Sequence, residues 1–176
     1  MIISLVRCPA NSYLLKNWLN CVQDNLDKIA LNEEIHKFRE YKIVADYTEH
    51  WIRIPIRVQE STGDVHALWP AGLLYRRKYP LAVYLYAVDL YISTDLSMRK
   101  VAEATRKEFG LEKFSHSTVS RTLKKLLNLI STIYSVENDL PLELLRTLLT
   151  GVRENPMYCS QKLAYDIFDK YHLTIL

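Results

Sequence analysis

The stretch that decides the fold reads FSHSTVSRTLKKL, residues 114–126. Val119, Leu123 and Leu126 recur three and four residues apart, which is the spacing of one buried face of an α-helix. Ser115 stands before this pattern, where a serine hydroxyl can accept a hydrogen bond from a backbone N–H of the first turn. The sequence therefore predicts a helix that begins near Ser115 and continues beyond Leu126.

Two more helices are predicted on the N-terminal side of this one. The first begins at Pro80, a residue suited to a first helical turn, and runs through Ile92; it is apolar on nearly every face, which predicts burial. The second can be capped by Asp95 or Ser97 and ends at Gly110, since glycine readily adopts the left-handed conformation that closes many helices. Its apolar stripe consists of Met98, Val101, Ala102, Thr105 and Phe109.

The N-terminal part contains hydrophobic patterns of two kinds, one typical of helices and one typical of strands. Helical spacing occurs at Leu15, Leu19, Val22 and Leu26. Residues 41–45 and 51–58 instead have the pattern of strands, and in the second strand alternate aliphatic residues share one face. Pro55 lies inside that second pattern and cannot donate a ladder hydrogen bond, so we expect an edge strand there. Residues 61–64 are a turn candidate that leads to a third strand at 65–69.

Positive charge is concentrated in the middle of the chain. Residues 75–125 contain eleven lysines and arginines and five acidic residues, a net charge of +6, whereas the whole chain of 176 residues has +3 at pH 7. A basic segment in a nearly neutral chain is expected where a protein meets a polyanion. A pair of solvated helix faces would give the same pattern.

The hydrophilic face of the helix predicted at 115–126 has the side chains that recognition in a DNA major groove requires. Small polar groups in its first turns can approach base edges without steric conflict, and the forked guanidinium of Arg121 can bind guanine O6 and N7. The expected base contacts are His116, Ser117, Ser120 and Arg121. The expected phosphate contacts are Ser115, Thr118, Arg99, Lys100, Lys124, Lys125, Arg76 and Arg77. The run at 76–78 fits a charged loop before Pro80 equally well.

Residues 115–121 resemble the recognition helix of repressor-type helix-turn-helix proteins, in which a Thr-Val-Ser-Arg core follows a serine cap. Residues 100–104, KVAEA, resemble the first helix of that motif. The resemblance implies base contacts by His116, Ser117 and Arg121 and backbone contacts by Ser115 and Thr118. The connecting stretch at 106–114 departs from the family because it is longer than the usual tight turn.

A second resemblance covers residues 54–127, which look like the N-terminal DNA-binding region of bacterial insertion-sequence transposases. The matching motifs are HALWP at 66–70, a Tyr-rich helix, and LSMRKVA at 96–102. That family typically joins a zinc ribbon to a helix-turn-helix, with cysteine pairs expected near Cys8 and near 59–63. Only Cys8 is present, and a zinc site needs about four ligands. We therefore expect the strands to persist as a scaffold without metal.

Together these patterns predict an α+β fold, mainly α, with a small N-terminal β element, a helix-turn-helix and a short helical tail. The tail contains two helical patterns, separated by Asn155-Pro156. Its apolar markers are Leu144, Leu145, Leu148 and Leu149, then Leu163, Ile167 and Phe168. We divide the chain into an α+β module with degenerate ribbon-like strands (1–74), a helix-turn-helix domain (75–135) and a helical tail (136–176).

We expect no catalytic domain, cofactor, metal site or small-molecule substrate for this chain. Nucleophile motifs and Gly-rich phosphate loops are absent from the sequence, and about fifty residues after the recognition helix are too few for the α/β domain with which transposases cut DNA. Carboxylates there lie among leucines or near helix ends: Glu137, Asp139, Glu143, Glu154, Asp166 and Asp169. No metal-ligand spacing relates His36, His50, His66 and His172. Core packing, not base stacking, is expected of Tyr75, Tyr79, Tyr84, Tyr86 and Tyr91.

The cysteine pattern indicates a reducing compartment. Cys8, Cys21 and Cys159 are an odd number and lie far apart, which argues against a disulfide framework; we expect Cys21 and Cys159 to be small buried hydrophobes. We also expect no signal peptide and no membrane span, since the apolar run at 81–88 is too short to cross a bilayer. A cytoplasmic, nucleoid-associated protein is the resulting expectation.

Sequence-specific binding of double-stranded DNA is the function that these patterns indicate, by a transposase-derived protein or a transcription regulator. Two alternatives stay open at this point. One is a protein–protein interaction module whose helix-turn-helix has lost DNA binding, and the other is the DNA-binding subunit of a split transposase. The leucines of the tail could pair two copies as a homodimer, or they could pack within one chain.

Overall fold

The computed structural model describes residues 2–6, 15–134 and 140–171. Within these ranges it contains four β-strands and six α-helices, so the fold is α+β and mainly α, as predicted. In chain order the elements are β1 (Ile2–Val6), α1 (Leu15–Asn32), β2 (Phe38–Ala45), β3 (Thr48–Val58), β4 (Val65–Pro70), α2 (Leu81–Ser93), α3 (Met98–Phe109), α4 (His116–Tyr134), α5 (Leu140–Leu148) and α6 (Pro156–Tyr171). The sequence patterns predicted each of these elements except β1.

The strands form one sheet in the order β1-β4-β3-β2. β2, β3 and β4 are antiparallel neighbours, and β1 runs parallel to β4. The predicted turn joins β3 to β4, where the N–H of Gly63 donates to the carbonyl of Gln59 at 2.8 Å. The sheet therefore consists of two sequential antiparallel hairpins and an N-terminal strand that pairs in parallel with β4.

Pro55 lies in an interior strand, so the prediction of an edge strand was wrong. β3 changes partners at this residue, because residues 48–55 pair with β2 and residues 56–58 pair with β4. N–H groups alternate between the two sides of a strand, so the nitrogen of Pro55 is on the same side as that of Arg53. That side has no strand partner at either residue, and the missing N–H of Pro55 costs no ladder hydrogen bond.

Helix α1 covers this open side of β3. The side-chain oxygen of Gln23 accepts a hydrogen bond from the N–H of Arg53 at 2.8 Å, and its amide nitrogen donates to the carbonyl of Arg53 at 3.5 Å. A glutamine side chain thus satisfies both backbone groups that a neighbouring strand would otherwise bind.

Helices α2, α3 and α4 pack against one another. α2 is the most deeply buried of the three, with eight of its first nine residues buried. Ser97, one of the two predicted caps, begins α3, and its hydroxyl accepts from the N–H of Lys100 at 3.5 Å. Gly110 ends α3 in the left-handed conformation, as predicted, with φ 56°.

The C-terminal helices pack onto the rest of the chain. α5 contacts α2 and α4, and α6 contacts α2 and β1. Leu145 and Leu149 are buried in the same hydrophobic cluster as Trp18 of α1 and Leu85 of α2. The leucine-rich tail therefore packs within its own chain, one of the two alternatives that the sequence left open. The three-part division of the chain stays a prediction.

The described helices also bear on whether the chain could cross a membrane. No helix in the described ranges combines the length and the apolar character that crossing a bilayer demands.

Candidate nucleic-acid interface

Ser115 caps α4 as predicted. Its hydroxyl oxygen accepts a hydrogen bond from the N–H of Thr118 at 3.3 Å, and its carbonyl accepts from the same N–H at 2.9 Å. The hydroxyls of Ser115 and Thr118 are 3.1 Å apart. The start of the helix is thus fixed by its own side chains, and the N–H of Thr118 is already used there.

A six-residue connector, residues 110–115, joins α3 to α4. Two side chains from outside the connector hold its backbone. The hydroxyl of Tyr79 donates to the carbonyl of Lys113, and Nη1 of Arg106 donates to the carbonyl of Phe114 at 3.3 Å. The connector is longer than the usual turn of a helix-turn-helix, and these contacts give it a defined conformation.

The hairpin of β2 and β3 docks on the same connector. The N–H of Asp46 donates to the carbonyl of Phe109 at 3.2 Å, and the N–H of Tyr47 donates to the carbonyl of Gly110 at 2.6 Å. A Cβ atom on Gly110 would lie 2.7 Å from Cα of Asp46. Glycine is therefore required here both by the positive φ and by the close approach of the hairpin.

The four residues predicted to read bases are all exposed on α4: His116, Ser117, Ser120 and Arg121. On the opposite side of the helix, Val119 and Leu126 are buried as predicted. The Arg121 side chain folds back along its own helix, because its Nε donates to the carbonyl of Ser117 at 3.1 Å. The other three residues of the set extend over the first two turns of the exposed face.

The eight residues predicted to bind phosphate surround α4, and all are exposed except the half-buried Thr118. They are Arg99 and Lys100 in the first turn of α3, Ser115 and Thr118 at the start of α4, Lys124 and Lys125 further along α4, and Arg76 and Arg77 in the loop between β4 and α2. None of the eight takes part in the ion pairs of Lys42, Arg57, Arg146 and Arg153. Among the described residues, the cations around α4 thus have no carboxylate partner within ion-pair distance.

The loop that carries Arg77 is held by the sheet. The hydroxyl of Tyr41, on β2, accepts from the N–H of Arg77 at 2.6 Å and also contacts the carbonyls of Leu74 and Arg77. Trp69 packs edge-on against the ring of Tyr41, with ring centroids 4.8 Å apart, and its Nε1 donates to the carbonyl of Leu73 at 2.7 Å. Burial raises the pKa of Tyr41, so this hydroxyl stays protonated near neutral pH.

Two concavities flank the start of α4. One, of about 280 Å³, is lined by Arg77, Tyr84, Thr118, Arg121, Thr122 and Lys125. The other, of about 490 Å³, lies between α3 and the connector and has mixed charge; it is lined by Arg99, Ala102, Glu103, Arg106, Glu112, Lys113, Phe114, Ser115 and His116. Sequence reasoning did not assign Tyr84 or Thr122 to a site, because the apolar period of their helices predicts only that these positions face inward.

The tyrosines expected in the core mostly pack there. Tyr84 is buried, and Tyr79 and Tyr84 both contact the ring of Phe114 with centroids 5.9 Å apart. Tyr86 packs edge-on against Phe109 at 5.2 Å. Tyr75 is the outlier, 36% exposed, although it still contacts Trp69. These rings join α2 to the end of α3 and to the connector.

The remaining described residues considered for chemistry lie on elements other than α4. No group of three or more potential metal ligands occurs among the described residues. His50 contacts the hydroxyl of Thr48, and Nδ1 of His66 contacts the hydroxyl of Ser4 at 3.1 Å. Cys21 and Cys159 are half-buried, not fully buried as expected, and both pack against the hydrophobic core. Cys8, Glu137, Asp139 and His172 lie outside the described residues.

Comparisons with protein-family models, with curated proteins and with solved structures found no match to this chain. The two resemblances drawn from its motifs stay predictions.

Proposed function

We propose that this chain binds double-stranded DNA in a sequence-specific way, with α4 as its recognition helix. The observation that carries the proposal is the exposed side of α4. Its first two turns present short polar side chains to solvent, and its opposite side is buried in the chain's own core. The cations around it have no ion-pair partner among the described residues. A major groove accepts a helix of this kind, and phosphates on both sides of the groove attract the cations.

The residue roles follow from position on the helix. His116, Ser117 and Ser120, with Arg121 beside them, would contact base edges. Arg99 and Lys100 begin α3, the first helix of the motif, which in this arrangement crosses the DNA backbone. The remaining phosphate contacts would come from Ser115, Thr118, Lys124, Lys125, Arg76 and Arg77.

The class of DNA-binding protein is proposed from the motif resemblances. Residues 54–127 look like the DNA-binding region of insertion-sequence transposases, and residues 115–121 look like a repressor-type recognition helix. We infer a transposase-derived DNA-binding protein or transcription regulator that acts without a catalytic domain, at the bacterial nucleoid. A homodimer, in which two copies bind two half-sites, is compatible with this function.

Selection from a pool of random DNA duplexes tests the proposal. We expect the wild-type chain to enrich a defined site, and a variant that combines Ser117→Ala with Ser120→Ala to relax the preference at two or more positions of it. Lys124→Gln is the matched control on the same helix; it should enrich the same site at lower affinity, since phosphate contacts carry no sequence information. Binding without enrichment of any site would contradict specific recognition, and absence of binding would favour the protein–protein interaction module.

A further inference from the structure

The smaller concavity beside α4 has an unusual lining, and we call it the three-cation pocket. It is formed by Arg77, Arg121 and Lys125, together with the hydroxyl-bearing residues Thr118, Thr122 and Tyr84. Of the described residues that line it, none is a carboxylate. Its volume of about 280 Å³ exceeds what one phosphate group needs and leaves room for water.

The helical positions separate this pocket from the face of α4 that is proposed to read bases. Thr118, Arg121, Thr122 and Lys125 are spaced three, four and seven residues apart, so they form one stripe along the helix. The base-reading residues His116, Ser117 and Ser120 lie on a neighbouring stripe. When a helix lies in a major groove, its outermost stripe meets the bases and its flanks meet the phosphates that border the groove.

Both the position of Arg121 and its contacts place it on the flank of α4, beside the base-reading stripe. Its Nε donates to the carbonyl of Ser117 on the same helix at 3.1 Å, which uses one of its donors and holds the side chain along the helix. Its terminal nitrogens make no hydrogen bond to another described residue, and Arg121 lines the pocket together with Arg77 and Lys125. An arginine held in this way is preorganised to grip an anion at the side of the helix.

Arg77 comes from a different part of the fold, and the sheet determines its position. The hydroxyl of Tyr41 accepts from its N–H at 2.6 Å. The neighbouring Arg76 instead places its guanidinium over the ring of Tyr75, 5.1 Å from the centroid. Burial raises the pKa of Tyr84 to about 12, against the opposing effect of Arg77, so its hydroxyl remains a neutral donor near pH 7.

We propose that the three-cation pocket binds a single phosphate group of the DNA backbone at the edge of the groove that α4 occupies. The inference rests on the proposed function, and it moves Arg121 from the base-reading residues to the phosphate-binding residues. One phosphate then receives contacts from Arg77, in the loop before α2, and from Arg121 on α4. These two residues are 44 positions apart in sequence. The contact would fix the angle at which the recognition helix enters the groove.

Double-mutant cycles on duplex binding test the pocket. Arg77→Gln, Arg121→Gln and Lys125→Gln should each lower the affinity of the full chain for its enriched duplex on the order of tenfold, as expected for loss of a charge-assisted hydrogen bond. Pairs of these substitutions should lower it by clearly less than the product of the single effects, because all three residues grip the same phosphate. The salt dependence should fall by about one phosphate equivalent in the singles and in the pairs alike.

Two adjacent cations outside the pocket serve as matched controls. Arg76→Gln combined with Arg77→Gln, and Lys124→Gln combined with Lys125→Gln, should give multiplied effects, since each pair contacts separate phosphates. Multiplied effects within the pocket would overturn the proposal, and so would a change of enriched site by Arg121→Gln with the salt dependence unaltered. Each variant is accepted only if its circular dichroism and unfolding temperature match those of the wild-type chain.

The outcomes separate the pocket from the function on which it rests. If the wild-type chain binds no duplex at low salt, both the proposed function and the phosphate contact in the pocket are wrong. If the chain binds DNA but the pocket substitutions have independent effects, only the assignment of the pocket to one phosphate is wrong. A thermal-shift series with inorganic phosphate at constant ionic strength distinguishes the source of the group. We expect no stabilisation at millimolar phosphate, and a stabilisation that Arg77→Gln abolishes would replace the backbone assignment with a free phosphate.

Discussion

At the scale of single residues, Gly110 connects the sheet with the segment that joins α3 to α4. Its φ of 56° closes α3, and the absence of a side chain lets the β2–β3 hairpin approach to hydrogen-bonding distance. The first requirement was readable from the sequence, since a glycine after an amphipathic stretch predicts a helix end. The second was not readable, because it depends on Asp46, a residue 64 positions away.

Replacing Gly110 separates these two requirements. Gly110→Ala should lower the free energy of unfolding by more than the roughly 1–2 kcal/mol that a left-handed conformation costs a residue with a Cβ, because that atom also clashes with Asp46. Gly63→Ala is the matched control, since Gly63 has φ +71° and nothing within 4 Å of the added carbon. Urea unfolding of both variants measures the difference in the free energy of unfolding. Equal losses in the two variants would show that the close approach of the hairpin adds nothing to the cost of a side chain at Gly110.

The serine caps provide a second test at this scale. Ser115→Ala removes the hydroxyl that accepts from the N–H of Thr118 and should cost about 1 kcal/mol of stability. Ser117→Ala, two positions on at an exposed site inside the helix, should leave stability unchanged or slightly higher, because alanine has the better helix propensity. Thermal and urea unfolding compare the two. A loss in Ser117→Ala as large as in Ser115→Ala would contradict the capping role.

At the scale of elements, the sequence predicted which segments are helices and strands better than it predicted their neighbours. The alternation of β3 was clear, and yet Pro55 suggested an edge where the strand in fact changes partners. Partner choice is decided by contacts distant in sequence, such as that of Gln23 with Arg53, which local patterns do not contain. Strand β1 was not predicted for the same reason, because its partner β4 is distant in sequence, at the other end of the N-terminal part.

The same limit applied to the candidate site. Ser115, Gly110 and the exposed face of α4 follow from helical periodicity, so they were predicted. The approach of Arg77 to Arg121 was not predicted, because it needs Tyr41 of β2 to hold the loop. Periodicity assigns a residue to a face of its own helix, and only the packing of other elements shows what it meets there.

Tyr41 allows this link between sheet and site to be tested. Tyr41→Phe removes the hydroxyl that accepts from the N–H of Arg77, so we expect a loss of about 1 kcal/mol in stability and a weaker affinity for DNA. Tyr47→Phe, at a tyrosine that is 65% exposed, is the control and should change neither. Fluorescence anisotropy with a labelled duplex measures the affinity. An unchanged affinity in Tyr41→Phe would show that the loop keeps its position without the sheet.

An ion pair between the buried Asp89 and the exposed Arg153 joins α2 to the turn before α6. Nε of Arg153 lies 2.6 Å from Oδ2 of Asp89, and the hydroxyl of Ser93 donates to Oδ1 at 3.2 Å. Burial nevertheless raises the pKa of Asp89, since desolvation outweighs the opposing effects of Arg153 and Ser93. The folded chain therefore binds this proton at pH values where the unfolded chain has already released it.

The sign of the resulting pH dependence follows from linkage. The stabilising contribution of Asp89 is fully present below its unfolded pKa and is lost as pH rises through the folded pKa. In urea unfolding at a series of pH values, the stability of the wild-type chain relative to Asp89→Asn should therefore fall from acidic to neutral pH. Asp24→Asn, at an exposed carboxylate of α1, is the control. A relative stability that instead rises towards neutral pH would show that the ion pair with Arg153 dominates.

At the scale of the whole molecule, the sheet and the helices share one large hydrophobic core, and a second, small cluster consists of Ala30, Ile35 and Leu68. One cluster of buried residues extends from Trp18 in α1 through α2 to Met157 in α6, and α6 also contacts β1. Helix α4 is consequently supported on several sides: α2 and α3 pack against it, α5 contacts it, and the hairpin tip holds its connector. A rigid scaffold of this kind positions a recognition face more accurately than a free helical hairpin would.

Binding of the wild-type chain to a labelled random duplex, followed by fluorescence anisotropy over a series of salt concentrations, tests the central claim most directly. The account predicts tight binding at low salt, with the logarithm of the association constant falling linearly with the logarithm of salt concentration by about 0.9 for each phosphate neutralised. Lys124→Gln should reduce that slope by about one such unit, and Lys28→Gln, at an exposed lysine of α1, should leave it unchanged. No binding at low salt, or binding that does not respond to salt, would contradict the account.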